Sequence, residues 1–156
     1  MDPTSSESSI KYSIKEYFLT FVESNTIGAS IPVSFDAYEE PMADDVKKWV
    51  LVLANVLSIK KSSLSQISLT IYFNTREDAE GYRLSILRDE ITSLLSGSHD
   101  SINTPVGMIP LYDIKTHTKS GSLTLMLDEI SQGEDFKAVD GTMCKIMTIP
   151  IKMASK

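Results

Sequence analysis

The sequence predicts an α+β domain, with two helices packed on a mainly antiparallel β-sheet. Three observations point there. Ile67, Leu69, Ile71 and Phe73 alternate with Ser68, Thr70 and Tyr72, the period-two pattern of a half-buried strand. Ile10, Ile14, Tyr17, Phe18, Phe21 and Val22 recur at helical spacing, and so do Leu84, Leu87, Ile91, Leu94 and Leu95. The predicted order is helix, strand, hairpin, helix and then several strands, which suits antiparallel pairing around two helices.

The first helix is predicted over residues 7–24, after a short polar start at 1–6 that is expected to be flexible. Thr4 and Glu7 have capping-box spacing before it, and Asn25 and Gly28 can end it. Ile31, Val33 and Phe35 then read as a strand, which Pro32 confines to an edge because proline donates no ladder hydrogen bond. Residues 46–59 also satisfy a helical face. Their β-branched Val50, Val52 and Val56 favour a strand with Trp49, Leu51, Leu53, Leu57 and Ile59 on one side. Lys60 to Ser63 read as the exposed end of a hairpin into the next strand. A second helix is expected from Arg76, capped by Thr75, with Glu77 and Asp78 at its positive end. Gly81 would let it approach the sheet closely, and Gly97 would end it. Strands follow at 108–114, 123–127 and 143–153; Pro150 argues that the last is an edge or an extended arm.

The chain has 156 residues, enough for one domain, predicted to span all of 1–156, with a core that needs no disulfide staples. Its single Cys144 excludes an internal disulfide framework and reads as a small apolar filler. No apolar run reaches membrane-spanning length, and the start lacks the basic and apolar regions of a secretory signal. A net charge of −6 makes phosphate-backbone binding a poor expectation. The acid is concentrated. Asp36, Glu39, Glu40, Asp44 and Asp45 form one stretch, and Asp128, Glu129, Glu134, Asp135 and Asp140 another. Segments 36–45 and 128–141 are therefore expected to be mobile acidic loops. The tail reverses sign with Lys145, Lys152 and Lys156. Opposite signs on different segments suit head-to-tail self-association, although plain solvated loops are the simpler reading.

The catalytic inventory is thin. Ser98, His99, Asp100 and Ser101 are adjacent, whereas a triad converges from separate elements. His117 lies in a polar turn, and neither histidine belongs to a zinc-binding spacing. The acid pairs lack calcium-loop spacing, and there is no phosphate-cradling glycine motif. No catalytic residue, metal site or cofactor is predicted. Met126, Met143, Met147 and Met153 suit an adaptable packing surface or ordinary core filling.

The layout resembles the tail-terminator, or head–tail completion, family of long-tailed bacteriophages. The resemblance rests on the amphipathic first helix, the strand from Ile31 to Phe35 and the strand Lys48-Trp49-Val50-Leu51-Val52-Leu53. It continues through Ile67 to Phe73, the long helix from Arg76, Ile109-Pro110-Leu111-Tyr112-Asp113-Ile114 and the final strand from Lys145 to Met153. It implies a structural virion protein without enzymatic activity, located in the tail neck and assembled in the host cytoplasm. Such proteins form a ring, typically a homohexamer, that caps the tail tube and joins it to the head connector. The implied partners are further copies of the chain, the tail tube protein, the connector or head-completion protein, and a sheath protein if the tail is contractile. Genome DNA passes through without specific binding, and no membrane is involved. Asp36, Glu39, Glu40, Asp44, Asp45, Asp128, Glu129, Glu134 and Asp135 are then candidates for lumen or docking loops, and Ile31, Val33, Lys145 and Lys152 for the subunit interface. A small α+β regulatory or ligand-binding domain is the alternative.

Overall fold

The computed structural model describes residues 6–19, 31–35, 45–58, 66–96 and 107–155. The helices are α1 (Ser6–Tyr17) and α2 (Tyr82–Ser96). The strands are β1 (Val33–Ser34), β2 (Lys48–Ser58), β3 (Gln66–Thr75), β4 (Met108–Tyr112), β5 (Lys119–Leu125), β6 (Ser131–Gln132), β7 (Phe136–Lys137) and β8 (Met143–Ser155). They form one sheet in the order β1-β2-β3-β8-β5-β4, with β6 and β7 also paired to β8. The β1–β2 pair is parallel and the rest are antiparallel. This is the α+β fold that the periodicities predict.

Register explains the core. Val50 and Val52 stand opposite Phe73 and Ile71 on β3, and Met147, Ile149 and Ile151 face Ile71, Leu69 and Ile67 from β8. Each of these side chains is at most 5% exposed. Ile10 and Ile14 of α1, and Leu84, Leu87, Ile91, Leu94 and Leu95 of α2, join the same cluster. Phe18, Trp49, Ile71, Leu87, Ile91 and Ile149 are buried as predicted, and Phe21 lies outside the described residues. The opposite face of the sheet carries Trp49, Leu51 and Leu53 beside Asn74, Tyr72 and Thr70. There the Arg76 guanidinium lies 4.8 Å from the centre of the Trp49 ring.

The position of α1 shows how the sheet is shaped. It packs against both β4 and β2, which β3, β8 and β5 separate. In a flat sheet that separation would be four strand spacings, roughly 19 Å, too wide for one helix ~10 Å across. The sheet therefore curls, and α1 closes the seam. Two buried serines make the closure specific. The Ser13 hydroxyl accepts from the Tyr112 backbone N–H at 2.9 Å and donates to the Ser9 carbonyl at 2.8 Å. The Ser9 hydroxyl accepts from the Ile114 N–H at 3.1 Å. The backbone N–H groups of Tyr112, at the end of β4, and of Ile114, just beyond it, are thereby satisfied by side chains of α1. Ser13→Ala would strand a partly buried N–H and should cost about 1–2 kcal/mol of unfolding free energy in urea titrations.

Several sequence expectations are corrected. β8 is interior, not an edge or an arm, despite Pro150. A strand residue's N–H and C=O point to the same side, and the Pro150 carbonyl accepts from Met126 N, where the chain has just left β5. The missing donor thus faces the gap between the β5 and β6 pairings. Helix α2 begins at Tyr82 rather than Arg76, because Glu77 (φ 53°) and Gly81 (φ 70°) take left-handed conformations that no α-helix accommodates. Gly81 therefore serves the turn before the helix, and Asp78 rather than Thr75 caps it. Segment 128–141, expected as a mobile loop, carries short regular elements: part of a 3-10 turn (Leu127–Glu129), β6 and β7. The expected edge strand at 31–35 is borne out, since β1 ends the sheet order among the described residues.

Candidate functional site

The acidic ribbon from Asp128 to Asp140 borders β8. Its backbone pairs at Ser131 with Thr148, Gln132 with Met147, Phe136 with Cys144 and Lys137 with Met143. Arg88 of α2 donates to the Gln132 side chain at 3.0 Å, tying the ribbon to the helix layer. Asp128, Glu129, Glu134, Asp135 and Asp140 are all exposed by residue. Asp140 is held below the ordinary carboxylate range chiefly by hydrogen bonds from the Thr142 backbone N–H and side chain, with Arg76 nearby adding attraction. The ribbon thus presents Asp128, Glu129 and Glu134 on an ordered scaffold.

Other predicted site residues fare differently. Asp36, Glu39, Glu40 and Asp44 lie outside the described residues, and Asp45 is exposed just before β2. Ile31 is 2% exposed and belongs to the core, so burial within the subunit removes it from any surface. Val33 is half-buried on β1. Lys145 is also unsuited to bridging subunits. Its ammonium sits 2.6 Å from the Asp135 carboxylate, with only 13% of its side chain exposed. The acidic stretch and the basic strand therefore meet inside one chain. Lys152 is exposed on β8.

A cleft not singled out from the sequence lies where α1 meets the β4–β5 hairpin. It encloses about 370 Å3, between Tyr12, Glu16 and Tyr17 on one wall and Pro110, Tyr112 and His117 on the other. Helical spacing puts Tyr12 and Glu16 on one side of α1, and strand alternation does the same for Pro110 and Tyr112. The hairpin turn is built by Asp113, whose carboxylate accepts from Lys115 N at 2.8 Å and Thr116 N at 3.3 Å. It leaves His117 in a left-handed conformation, with its ring 6.4 Å from that of Tyr12 and edge-on to it. Burial pushes the Tyr17 phenol well above its ordinary value, so it stays protonated. No sequence motif marks this cleft, because its walls are 93 or more positions apart. A second depression, about 520 Å3, lies between α1 and β2, and Lys11, Lys15, Phe35, Val52 and Leu53 are among the residues that line it.

Cys144 is buried with its thiol 3.8 Å from the Thr142 carbonyl. Among the described residues, no group of three or more metal-ligating side chains could hold an ion, and no helix is long and apolar enough to cross a membrane. The Ser98 to Ser101 cluster lies outside the described residues. No protein-family model and no curated protein matches the chain. Among solved structures, a protein whose name describes no function aligns over 97% of this chain and 97% of its own, with a TM-score of 0.61 and 9% identity. At that identity the likeness shows a shared fold.

Proposed function

We propose that the protein is a structural virion subunit, a tail terminator that assembles as a ring, caps the phage tail tube and joins it to the head connector. The observation carrying this reading is the order of elements along the described residues: helix, edge strand, long hairpin, helix and C-terminal strands. That is the layout on which the family resemblance rests. A rigid shell of this kind suits a ring subunit, whose interface must repeat without distortion around an axis. The exposed ribbon Asp128, Glu129 and Glu134 supplies negative charge that would keep passing DNA from adhering. The subunit acts by fit and charge rather than by chemistry.

The test is complementation of a terminator-deficient phage together with electron microscopy of its tails. Tails of uniform length, each ending in a ring and joined to a head, are expected. Tails of uncontrolled length would overturn the reading. Lys152→Glu reverses an exposed charge and should impair ring closure. It should move folding stability by no more than about 0.5 kcal/mol, as surface substitutions do. Lys145 is unsuitable for this purpose, because its reversal would break the subunit's own ion pair with Asp135.

A further inference from the structure

We infer that the groove between α1 and the edge of β2 is a docking site for an extended, carboxylate-bearing segment of another protein, which adds to the sheet as a strand. Backbone direction sets up the site. Successive residues of a strand turn their N–H and C=O groups to opposite sides. The Val50 N–H donates to the Pro32 carbonyl at 3.0 Å, on the β1 side. Val52, Ala54 and Val56 therefore point that way too, while Leu51, Leu53 and Asn55 turn towards β3. β1 covers this edge only through Val33 and Ser34, opposite Val50 and Leu51. Among the described residues, none pairs with the outward backbone of Ala54 or Val56. Each presents one donor and one acceptor.

The space beside them is open: the depression of about 520 Å3 lies between residues 52–55 and the flank of α1 that carries Lys11 and Lys15. At ~3.3 Å per residue, a segment of about four residues runs the length of that stretch. Sheet edges are commonly blunted by proline, by charge or by covering groups. Residues 52–56 are Val-Leu-Ala-Asn-Val, with neither proline nor charge. The other end of the sheet is treated differently. On the open side of β4, Pro110 has no donor and the Tyr112 N–H is taken by Ser13.

The side chains define the partner. Ala54, Val56 and Phe35 are half-buried and pack against the core, so small or apolar groups of an added strand can complete their burial. Lys15 is exposed, and among the described residues it meets the Phe35 ring at 5.8 Å but no carboxylate. Lys11, by contrast, is already paired with Glu7 at 3.0 Å. A carboxylate on the incoming segment would answer Lys15. The segment comes from another protein because the described edges this chain could offer pair poorly: β4 is blunted, and β1, β6 and β7 have two residues each. Docking here and ring assembly are separate, so each can fail without the other.

The test is hydrogen exchange of the full chain, read by NMR. In the monomer, the amides of Ala54 and Val56 should exchange much faster than those of Leu53 and Asn55. Protection of all four would mean that the chain fills its own edge, and would overturn the assignment. A capped hexapeptide of alternating Thr and Val with one central Glu should then slow exchange at Ala54 and Val56, with a dissociation constant on the order of 1 mM. The same peptide with every backbone nitrogen methylated should have no effect. Replacing its Glu by Lys should weaken binding about two- to fivefold, the worth of an exposed ion pair. Ala54→Pro removes a donor that the fold does not use, so the chain should still fold while binding falls at least about tenfold. If that variant misfolds, the methylated peptide makes the same comparison on the unaltered chain. No response at millimolar peptide, binding indifferent to methylation, or equal binding of the Glu and Lys peptides would overturn the assignment. So would protection of Ala54 and Val56 that appears with self-association in light scattering, since a second copy would then fill the edge.

Discussion

Leu87→Ala should lower the unfolding free energy by about 2–5 kcal/mol, the range for emptying a buried leucine site. Leu87 is 1% exposed at the middle of α2, within the cluster that includes Leu84, Ile91 and the sheet residues Phe73 and Ile71. Helix α2 packs on β3 and β8, whose backbones are joined by ladder hydrogen bonds, so the cavity can close only partly. The check is a urea midpoint that falls while the slope stays constant, showing that stability changed and not the extent of unfolding. Ile86 provides the internal comparison. It adjoins Leu87 but points outward and is 39% exposed, so Ile86→Ala should cost less than about 1 kcal/mol. Similar losses in the two variants would mean that α2 does not lie as described.

The elements legible in the sequence are those where one periodicity met one environment. β3 shows strict alternation because one of its faces is core and the other is not. The buried file of α2 was readable for the same reason. β2 was ambiguous because Trp49 and Leu51 are buried on one face while Val50 and Val52 are buried on the other, and burial on both faces erases the period. Pro150 misled because its effect depends on which way its missing donor points, and that depends on where β5 ends. The start of α2 misled because Glu77 and Asp78 look like favourable first-turn acids. They instead belong to a turn that includes two left-handed residues. Charge was harder still. Lys145 and the acidic stretch were visible as opposite signs, but only the fold shows that Lys145 meets Asp135 within one chain. The tyrosine cleft left no local trace, since long-range packing brings Tyr12 and Tyr112 to one place.

Asp78→Ala should cost about 2–3 kcal/mol, because one carboxylate completes the start of α2. Its oxygens accept from Arg83 N at 3.1 Å and Leu84 N at 2.8 Å, and the Thr75 hydroxyl donates to it at 2.9 Å. These donors include two of the N–H groups that a helix leaves unpaired at its start. An N-cap lost to alanine costs ~1 kcal/mol, and a buried donor left unsatisfied costs ~1–3 kcal/mol, with the two overlapping rather than adding. The residue is 8% exposed, so water replaces the carboxylate poorly. Burial alone would raise the acid's pKa. The backbone donors at Leu84 and Arg83 and the Thr75 hydroxyl outweigh it, and hold the group below its ordinary value of 3.8. A folded value below the unfolded one adds stability above the unfolded pKa, and that stability is lost as pH falls through the folded value. The difference in unfolding free energy between wild type and Asp78→Asn should therefore be constant near neutrality and shrink as pH drops below about 4. Asparagine keeps one acceptor oxygen, so it should retain part of the cap while losing this pH dependence. A difference that stayed the same down to acid pH would mean that the carboxylate's charge plays no part in holding the helix.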